Sequence, residues 1–65
     1  MLDARFENHG SIWLIRPLTD AARDWIGDNV QAESWQWFGD ALSLEPRAVE
    51  PVADAMADAG LEISV

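Results

Sequence analysis

The sequence predicts an α+β fold: a small two-layer domain of order ββαββαβ, with a mostly antiparallel sheet and two helices on one face. Three observations lead to this prediction. Two segments have apolar residues at helical spacing, and short alternating segments flank them. Glycine, asparagine and proline separate the segments. With 65 residues, the chain has room for one thin core, so we expect a single domain over residues 1–65.

The first two strands are predicted over residues 4–7 and 11–16. The turn between them, Asn8-His9-Gly10, contains Asn and Gly, which supply the positive φ angles that a tight hairpin needs. Pro17 closes the second strand. These segments therefore predict a β-hairpin.

The first helix is predicted to follow Thr19, a good N-cap residue, and to run to about residue 30. Its buried face is expected to consist of residues at helical spacing, namely Ala22, Trp25, Ile26 and Val30. A polar connection over residues 31–34 comes next.

The third and fourth strands are predicted over residues 35–38 and 41–45, joined by the turn Gly39-Asp40. In the fourth strand Leu42 and Leu44 alternate with Ser43 and Glu45. This is the period of a half-buried strand, so we expect Ser43 and Glu45 on its exposed side.

A second helix is predicted to end before Gly60, which suits the left-handed C′ position. Its apolar stripe consists of Val49, Val52, Ala53 and Met56. Pro46 suits a first helical position, but Pro51 would then remove an interior hydrogen bond, so we expect regular helix to begin near Val49. The last strand is predicted over residues 61–65, where apolar and polar residues alternate.

Composition limits the function classes. Twelve acidic residues stand against four arginines and no lysine, which gives a net charge of −8. This charge disfavours binding to nucleic acids and to anionic membranes, and it favours a basic partner protein. The alternative is that the acidity serves solubility alone. The chain has no cysteine for disulfides, and no signal peptide or membrane span is recognisable, so we expect a cytoplasmic protein.

The helical acids form the most informative pattern. They recur at i, i+4 and i+8 in each predicted helix, and we call these six residues the acidic columns: Asp20, Asp24 and Asp28, and Glu50, Asp54 and Asp58. Like charges four residues apart repel, so such columns have a cost that an ordinary solvated face would avoid by mixing in cations. We interpret the columns as a partner-binding surface, with an ordinary solvated face as the alternative.

The charge spacing permits DNA mimicry. Each column carries one charge per about 6 Å of helix, whereas one DNA strand carries one per about 3.4 Å. Two columns side by side, supplemented by Glu33, Asp40 or Glu45, would approach the density of a phosphate strand.

No catalytic arrangement is recognisable. The single histidine, His9, lies in a predicted turn, and no serine or threonine has an evident base beside it. The sequence contains no pattern for a metal, phosphate or cofactor site. We therefore expect a protein that is not an enzyme and that has no cofactor.

The tryptophans offer a second candidate surface. Trp35 and Trp37 would share one face of the third strand, and Trp13 lies on the second strand. Either these rings complete the core, or some of them form a patch for a protein partner or a weak homodimer on the sheet face without helices.

Several segments resemble a family of short proteins from bacteriophages and bacterial mobile elements. They are Phe6-Glu7-Asn8-His9-Gly10, the run from Ile12 to Thr19, Trp37-Phe38-Gly39-Asp40-Ala41-Leu42, Leu44-Glu45-Pro46-Arg47 and Gly60-Leu61-Glu62-Ile63. In size, charge and lack of catalytic groups the chain is also similar to anti-CRISPR proteins that inhibit type I effector complexes. Some of those proteins are DNA mimics that occupy the basic groove for the PAM and target DNA.

The resemblance implies a phage-encoded inhibitor whose acidic columns block DNA access to a basic subunit of a type I Cascade effector complex. Two alternatives stay open. One is an adaptor that binds a protein through its tryptophan-bearing sheet face, and the other is an antitoxin-like protein that neutralises a basic toxin.

Overall fold

The computed structural model describes all residues from 1 to 65 and has the predicted α+β architecture. The strands are β1 (Ala4–Asn8), β2 (Trp13–Pro17), β3 (Trp37–Phe38), β4 (Ala41–Leu44) and β5 (Ile63–Ser64). The helices are α1 (Asp20–Asn29) and α2 (Pro46–Asp58). The five strands form one sheet in the order β3-β4-β2-β1-β5, antiparallel except for the parallel pair β1–β5.

The β1–β2 hairpin closes where the sequence predicts it, with shifted strand ends. Asn8 belongs to β1, and its side-chain Oδ1 accepts a hydrogen bond of 2.9 Å from the Gly10 amide. Gly10 has a φ of 87°, which favours glycine at this position, whereas Asn8 does not have the positive φ that the sequence predicts and contributes its side-chain hydrogen bond instead. The His9 amide donates to the Ile12 carbonyl at 2.9 Å, so residues 11 and 12 belong to the turn and β2 begins at Trp13.

Helix α1 begins as predicted. The Thr19 hydroxyl accepts a hydrogen bond from the Ala22 amide at 3.2 Å, which satisfies one of the free amides of the first turn. Ala22 and Ile26 are fully buried against the sheet, and Trp25 and Val30 pack at the edge of the core.

The predicted third strand is wrong over half of its length. Residues Ser34–Gln36 form a 3-10 turn, and only Trp37–Phe38 pair with β4. The Glu33 amide donates to Gln36 Oε1 at 2.9 Å, and the Gln36 amide donates to the Glu33 carbonyl at 3.0 Å. These local bonds satisfy the backbone within the turn, so Trp35 does not join the sheet.

Strand β4 is buried on both faces, contrary to the predicted half-buried pattern. Ser43 is 5% exposed because Leu14 of β2 lies opposite it and Gln36 extends over it, donating to the Ser43 carbonyl at 3.4 Å. Glu45 is not part of the strand and instead occupies the N-cap position of α2.

The expectation that α2 begins near Val49 is wrong, because the helix begins at Pro46 and includes Pro51. Proline cannot donate to the carbonyl four residues earlier, which here belongs to Arg47. Both Arg47 and Pro51 are exposed and lie within the first two turns, so water can hydrate the free carbonyl. Pro51 therefore removes one helical hydrogen bond, and its ring also crowds the Arg47 carbonyl.

The C-terminus of α2 confirms the predicted role of Gly60. The Gly60 amide donates to the Ala57 carbonyl at 3.0 Å, and the Leu61 amide donates to the Met56 carbonyl at 3.1 Å. With a φ of 87° at Gly60, these bonds form a Schellman motif, which turns the chain back toward β1. The last strand is shorter than predicted, because only Ile63 and Ser64 pair with β1.

The core lies between the sheet and the two helices. Residues from the inner face of three strands meet residues of both helices in one cluster: Ala4, Phe6, Ile15, Leu42 and Leu44 with Ala22, Ile26, Val49, Ala53 and Met56. Both helices therefore cover the same face of the sheet, and the other face has no covering layer. No helix of this chain is long and apolar enough to cross a membrane.

Candidate functional site

The acidic columns run along the solvent sides of the two helices. All six side chains are exposed, while Ala22 and Ile26 on α1 and Met56 on α2 are fully buried on the opposite sides. At 1.5 Å of rise per residue, each column extends over about 12 Å with about 6 Å between neighbouring carboxylates. The helical layer thus presents two short rows of negative charge.

On the open face of the sheet, two of the four arginines lie beside one carboxylate. Arg16 donates two hydrogen bonds to Glu7, from Nε to Oε2 at 3.0 Å and from Nη2 to Oε1 at 3.2 Å. Arg5 Nε lies 3.3 Å from Glu7 Oε2, and His9 Nε2 lies 3.3 Å from Glu7 Oε1. The hydrogen bonds from Arg16, and next those from His9, lower the pKa of Glu7 to about 2. This cluster therefore holds two guanidinium groups around one carboxylate, so it has a local excess of positive charge.

The other two arginines also have carboxylate partners. Arg23 Nη1 lies 3.1 Å from Asp20 Oδ1, and Arg47 Nε lies 2.9 Å from Glu45 Oε2. The exposed carboxylates that make no ion pair are then Asp24, Asp28, Glu33, Asp40, Glu50, Asp54 and Asp58. All acidic-column residues except Asp20 belong to this unneutralised set.

The supplementary acids lie on different sides of the molecule. Glu33 follows α1 and, together with Asp28, lines a shallow polar depression that we call the acidic hollow, so Glu33 extends the α1 column. Asp40, in the turn between β3 and β4, lies on the side of the open sheet face. The pKa of Arg16 is raised mainly by its hydrogen bond to Glu7, and the charge of Asp40 adds a smaller increase. Glu33 therefore joins the acidic surface of the helices, and Asp40 does not.

Trp13 and Trp37 do not lie on the open face of the sheet. Trp13 is opposite Leu44 and Trp37 is opposite Leu42, and both leucines are buried in the core. Directly opposed residues of antiparallel strands point to the same side, so both indoles face the helices. They are partly buried against the core cluster, as the interpretation that these rings complete the core predicts. The proposed tryptophan-bearing sheet face is therefore not formed.

Trp35 is the exposed tryptophan, at 72% of its full accessible surface. It lies on the 3-10 turn at the rim of an open cleft of about 580 Å³ between the end of α1 and the start of α2. The apolar side chains that line this cleft are Ile12, Val30, Trp35, Leu44, Ala48 and Val52. The sequence has no local signal for this cleft, because the cleft forms only when residues 35 and 36 lie outside the sheet.

Asp3 connects three parts of the fold, a role for which the sequence gives no local signal. Its Oδ1 accepts a hydrogen bond from the Thr19 hydroxyl at 2.8 Å, and its Oδ2 accepts one from the Glu62 amide at 2.8 Å. The bond from Glu62, followed by that from Thr19, lowers the pKa of Asp3. Its partners are 16 and 59 residues away in sequence, so only the folded chain brings them together. Asp3 therefore supports the hairpin and the start of α1 and is not free for a partner.

The structure contains no group of three or more histidine or acidic side chains arranged to hold one metal ion. Comparisons with protein families, with curated proteins and with solved structures find no match to this chain. The site described above is thus the basis for any functional assignment.

Proposed function

We propose that this protein is an inhibitor that binds a basic nucleic-acid-binding protein and blocks its DNA site with the acidic surface of the two helices. The observation that carries the proposal is the absence of ion pairs at Asp24, Asp28, Glu50, Asp54 and Asp58, although the chain contains four arginines. Each arginine already lies beside a carboxylate outside this set of five, so an external cation is needed to neutralise these five residues.

Charge repulsion along the acidic columns favours a binding role over a role in solubility alone. Like charges at i, i+4 destabilise a helix by about 0.2–0.5 kcal/mol per pair, and Asp58 at the end of α2 also opposes the helix dipole. A solvated face can reach the same solubility with interspersed cations at no such cost. A partner surface rich in arginine or lysine would convert this repulsion into favourable contacts and would accelerate association.

The resemblance to phage proteins and to DNA-mimicking anti-CRISPR proteins makes a type I effector complex the first target to test. The acidic columns would occupy the basic groove that reads the PAM and holds target DNA. A basic toxin is the second target, because an antitoxin would use the same carboxylates. The adaptor alternative would have to use Trp35, because Trp13 and Trp37 pack against the core while Trp35 is exposed.

The test is a binding assay with purified type I effector complexes, followed by competition with PAM-containing target DNA at increasing salt. We expect binding that target DNA displaces and that weakens steeply with salt. Asp54→Lys is expected to weaken binding about tenfold or more, which is about 1.4 kcal/mol. Asp40→Lys is the matched control, because it makes the same charge change on the other side of the molecule.

Two results would refute the proposal. One is a complex that forms equally well at high salt and leaves the effector's DNA bound. The other is equal loss of affinity from Asp54→Lys and Asp40→Lys, because net charge and not the helical surface would then account for binding.

A further inference from the structure

We infer that the apolar cleft beside Trp35 and the acidic hollow next to it bind one segment of a partner protein, in which a large apolar side chain stands beside an arginine or lysine. The inference rests on the proposed function for the basic character of the partner, and it names the part of that partner which the protein recognises.

The cleft has the properties of a site for an apolar anchor. Its volume of about 580 Å³ lies within the range of about 300–1,000 Å³ that is usual for ligand sites, and most of its lining side chains are apolar. Trp35 and Ile12 at its rim are 72% and 36% exposed, a large apolar surface for so small a domain. Tryptophan is enriched among residues that dominate binding energy when they become buried in an interface.

The acidic hollow adjoins the cleft directly. The two depressions share Val30, Gln31 and Gln36 as a common wall. Asp28 and Glu33 line the hollow, and neither makes an ion pair within the chain. A peptide with an apolar residue in the cleft therefore places a neighbouring long basic side chain near two free carboxylates. An arginine there can also stack on the exposed Trp35 indole.

Charge identifies the occupant as a basic protein segment. A second copy of this chain carries a net charge of −8, and each of its arginines lies beside one of its own carboxylates, with Arg5 and Arg16 sharing Glu7, so its overall charge would repel Asp28 and Glu33. Phosphates of a nucleic acid would be repelled in the same way. Electrostatic mimicry of DNA alone would leave the apolar cleft unused. The combination of cleft and hollow fits a protein with both apolar and cationic side chains.

The experiment uses the full chain, labelled with ¹⁵N, and three capped pentapeptides as probes. The first is Arg-Leu-Arg-Phe-Arg, the second replaces Leu and Phe by Ser, and the third replaces each Arg by Gln. We expect the first peptide to shift the amide signals of Val30, Gln36 and Val52 and the indole signal of Trp35. The second and third peptides are expected to bind at least about tenfold more weakly, because each lacks one of the two contacts.

Two variants test the assignment. Trp35→Ala is expected to weaken binding of the first peptide about tenfold. Because the Trp35 side chain is exposed, we expect the variant to stay folded, and its remaining amide spectrum checks this directly. Phe38→Ala is the matched control: this ring is 57% exposed on the open sheet face, and its loss is expected to leave affinity unchanged. Asp28→Asn is expected to weaken binding and to reduce its dependence on salt.

Several outcomes would overturn the inference. They are equal binding of the serine peptide, no effect of Trp35→Ala, or concentration-dependent shifts at the cleft without peptide, which would assign it to a second copy. These results would leave the acidic columns as a DNA-mimicking surface untouched. Conversely, the peptide could bind at the cleft while the protein does not compete with target DNA for any effector complex. That result would refute the proposed function and leave the cleft as a peptide-binding site.

Discussion

Removing the middle charge of the α2 column is expected to stabilise the fold and weaken partner binding at the same time. Asp54 lies one helical turn from both Glu50 and Asp58, and none of the three makes an ion pair. Asp54→Asn removes two like-charge pairs, each worth about 0.2–0.5 kcal/mol, so we expect a gain of about 0.4–1 kcal/mol. Aspartate and asparagine have similar helix propensities, and the substitution therefore isolates charge.

The gain is measurable as a thermal shift. In a domain of this size, 1 kcal/mol corresponds to about 4–8 °C in Tm, so Asp54→Asn should raise Tm by about 2–8 °C in a buffer of low ionic strength. At about 1 M salt the Debye length falls to about 3 Å, shorter than the spacing of about 6 Å along the column, and the gain should largely disappear. Thermal unfolding followed by circular dichroism at both salt concentrations measures this difference.

The control for this substitution is Asp40→Asn. Asp40 lies outside the helices and its charge acts favourably on Arg16, so its neutralisation should leave Tm unchanged or slightly lower. The reasoning is refuted if Asp54→Asn fails to raise Tm at low salt, or raises it equally at 1 M. Either result would mean that the column does not strain the helix, and the energetic argument for a binding role would then have no basis.

Three further predictions concern the fold itself. Gly27→Ala should stabilise the fold by about 1 kcal/mol, because an added Cβ at this helical position meets no atom within 4 Å. Gly60→Ala should destabilise the fold, because the φ of 87° at this position is strained for alanine. Chemical denaturation measures both effects. Because the pKa of Glu7 is lowered from 4.5 to about 2, its contribution to stability is complete above pH 4.5 and is lost as pH falls toward 2. Glu7→Gln should therefore reduce the loss of stability between pH 4.5 and 2, measured as a series of unfolding curves. An unchanged loss in this variant would contradict the assignment. Met56→Ala should cost about 2–5 kcal/mol, because truncation of this fully buried side chain leaves a cavity, and chemical denaturation followed by circular dichroism should show a lower unfolding midpoint.

Features controlled by neighbouring residues were predictable from the sequence. The Asn8–Gly10 turn, the Thr19 cap and the Gly60 terminus each depend on backbone groups within a few positions, so residue type alone indicates them. The exposure of the acidic columns follows from helical spacing for the same reason. The order of elements then follows from where the turns and helix ends occur.

The errors arise where nonlocal packing or side-chain bonds overrule a local pattern. Tryptophan is a residue type that favours strands, yet the hydrogen bonds between Glu33 and Gln36 hold Trp35 in a 3-10 turn. The alternation of polar and apolar residues in β4 predicts that Ser43 is exposed, but Leu14 and Gln36 of the same turn cover it. The Trp35 cleft was unpredictable for this reason, because it exists only when residues 34–36 leave the sheet and the two helices frame the gap.

The placement of the arginines connects the fold to the proposed binding surface. The hairpin register sets Arg5 directly opposite Arg16, and alternation puts Glu7 on the same open face, where it binds both. This pairing keeps two of the four cations on the side of the sheet away from the helices. The helical side consequently keeps most of the unneutralised carboxylates, and the molecule has one strongly negative side. If the proposed partner is basic, long-range attraction on that side would orient it toward the acidic columns and the Trp35 cleft before contact.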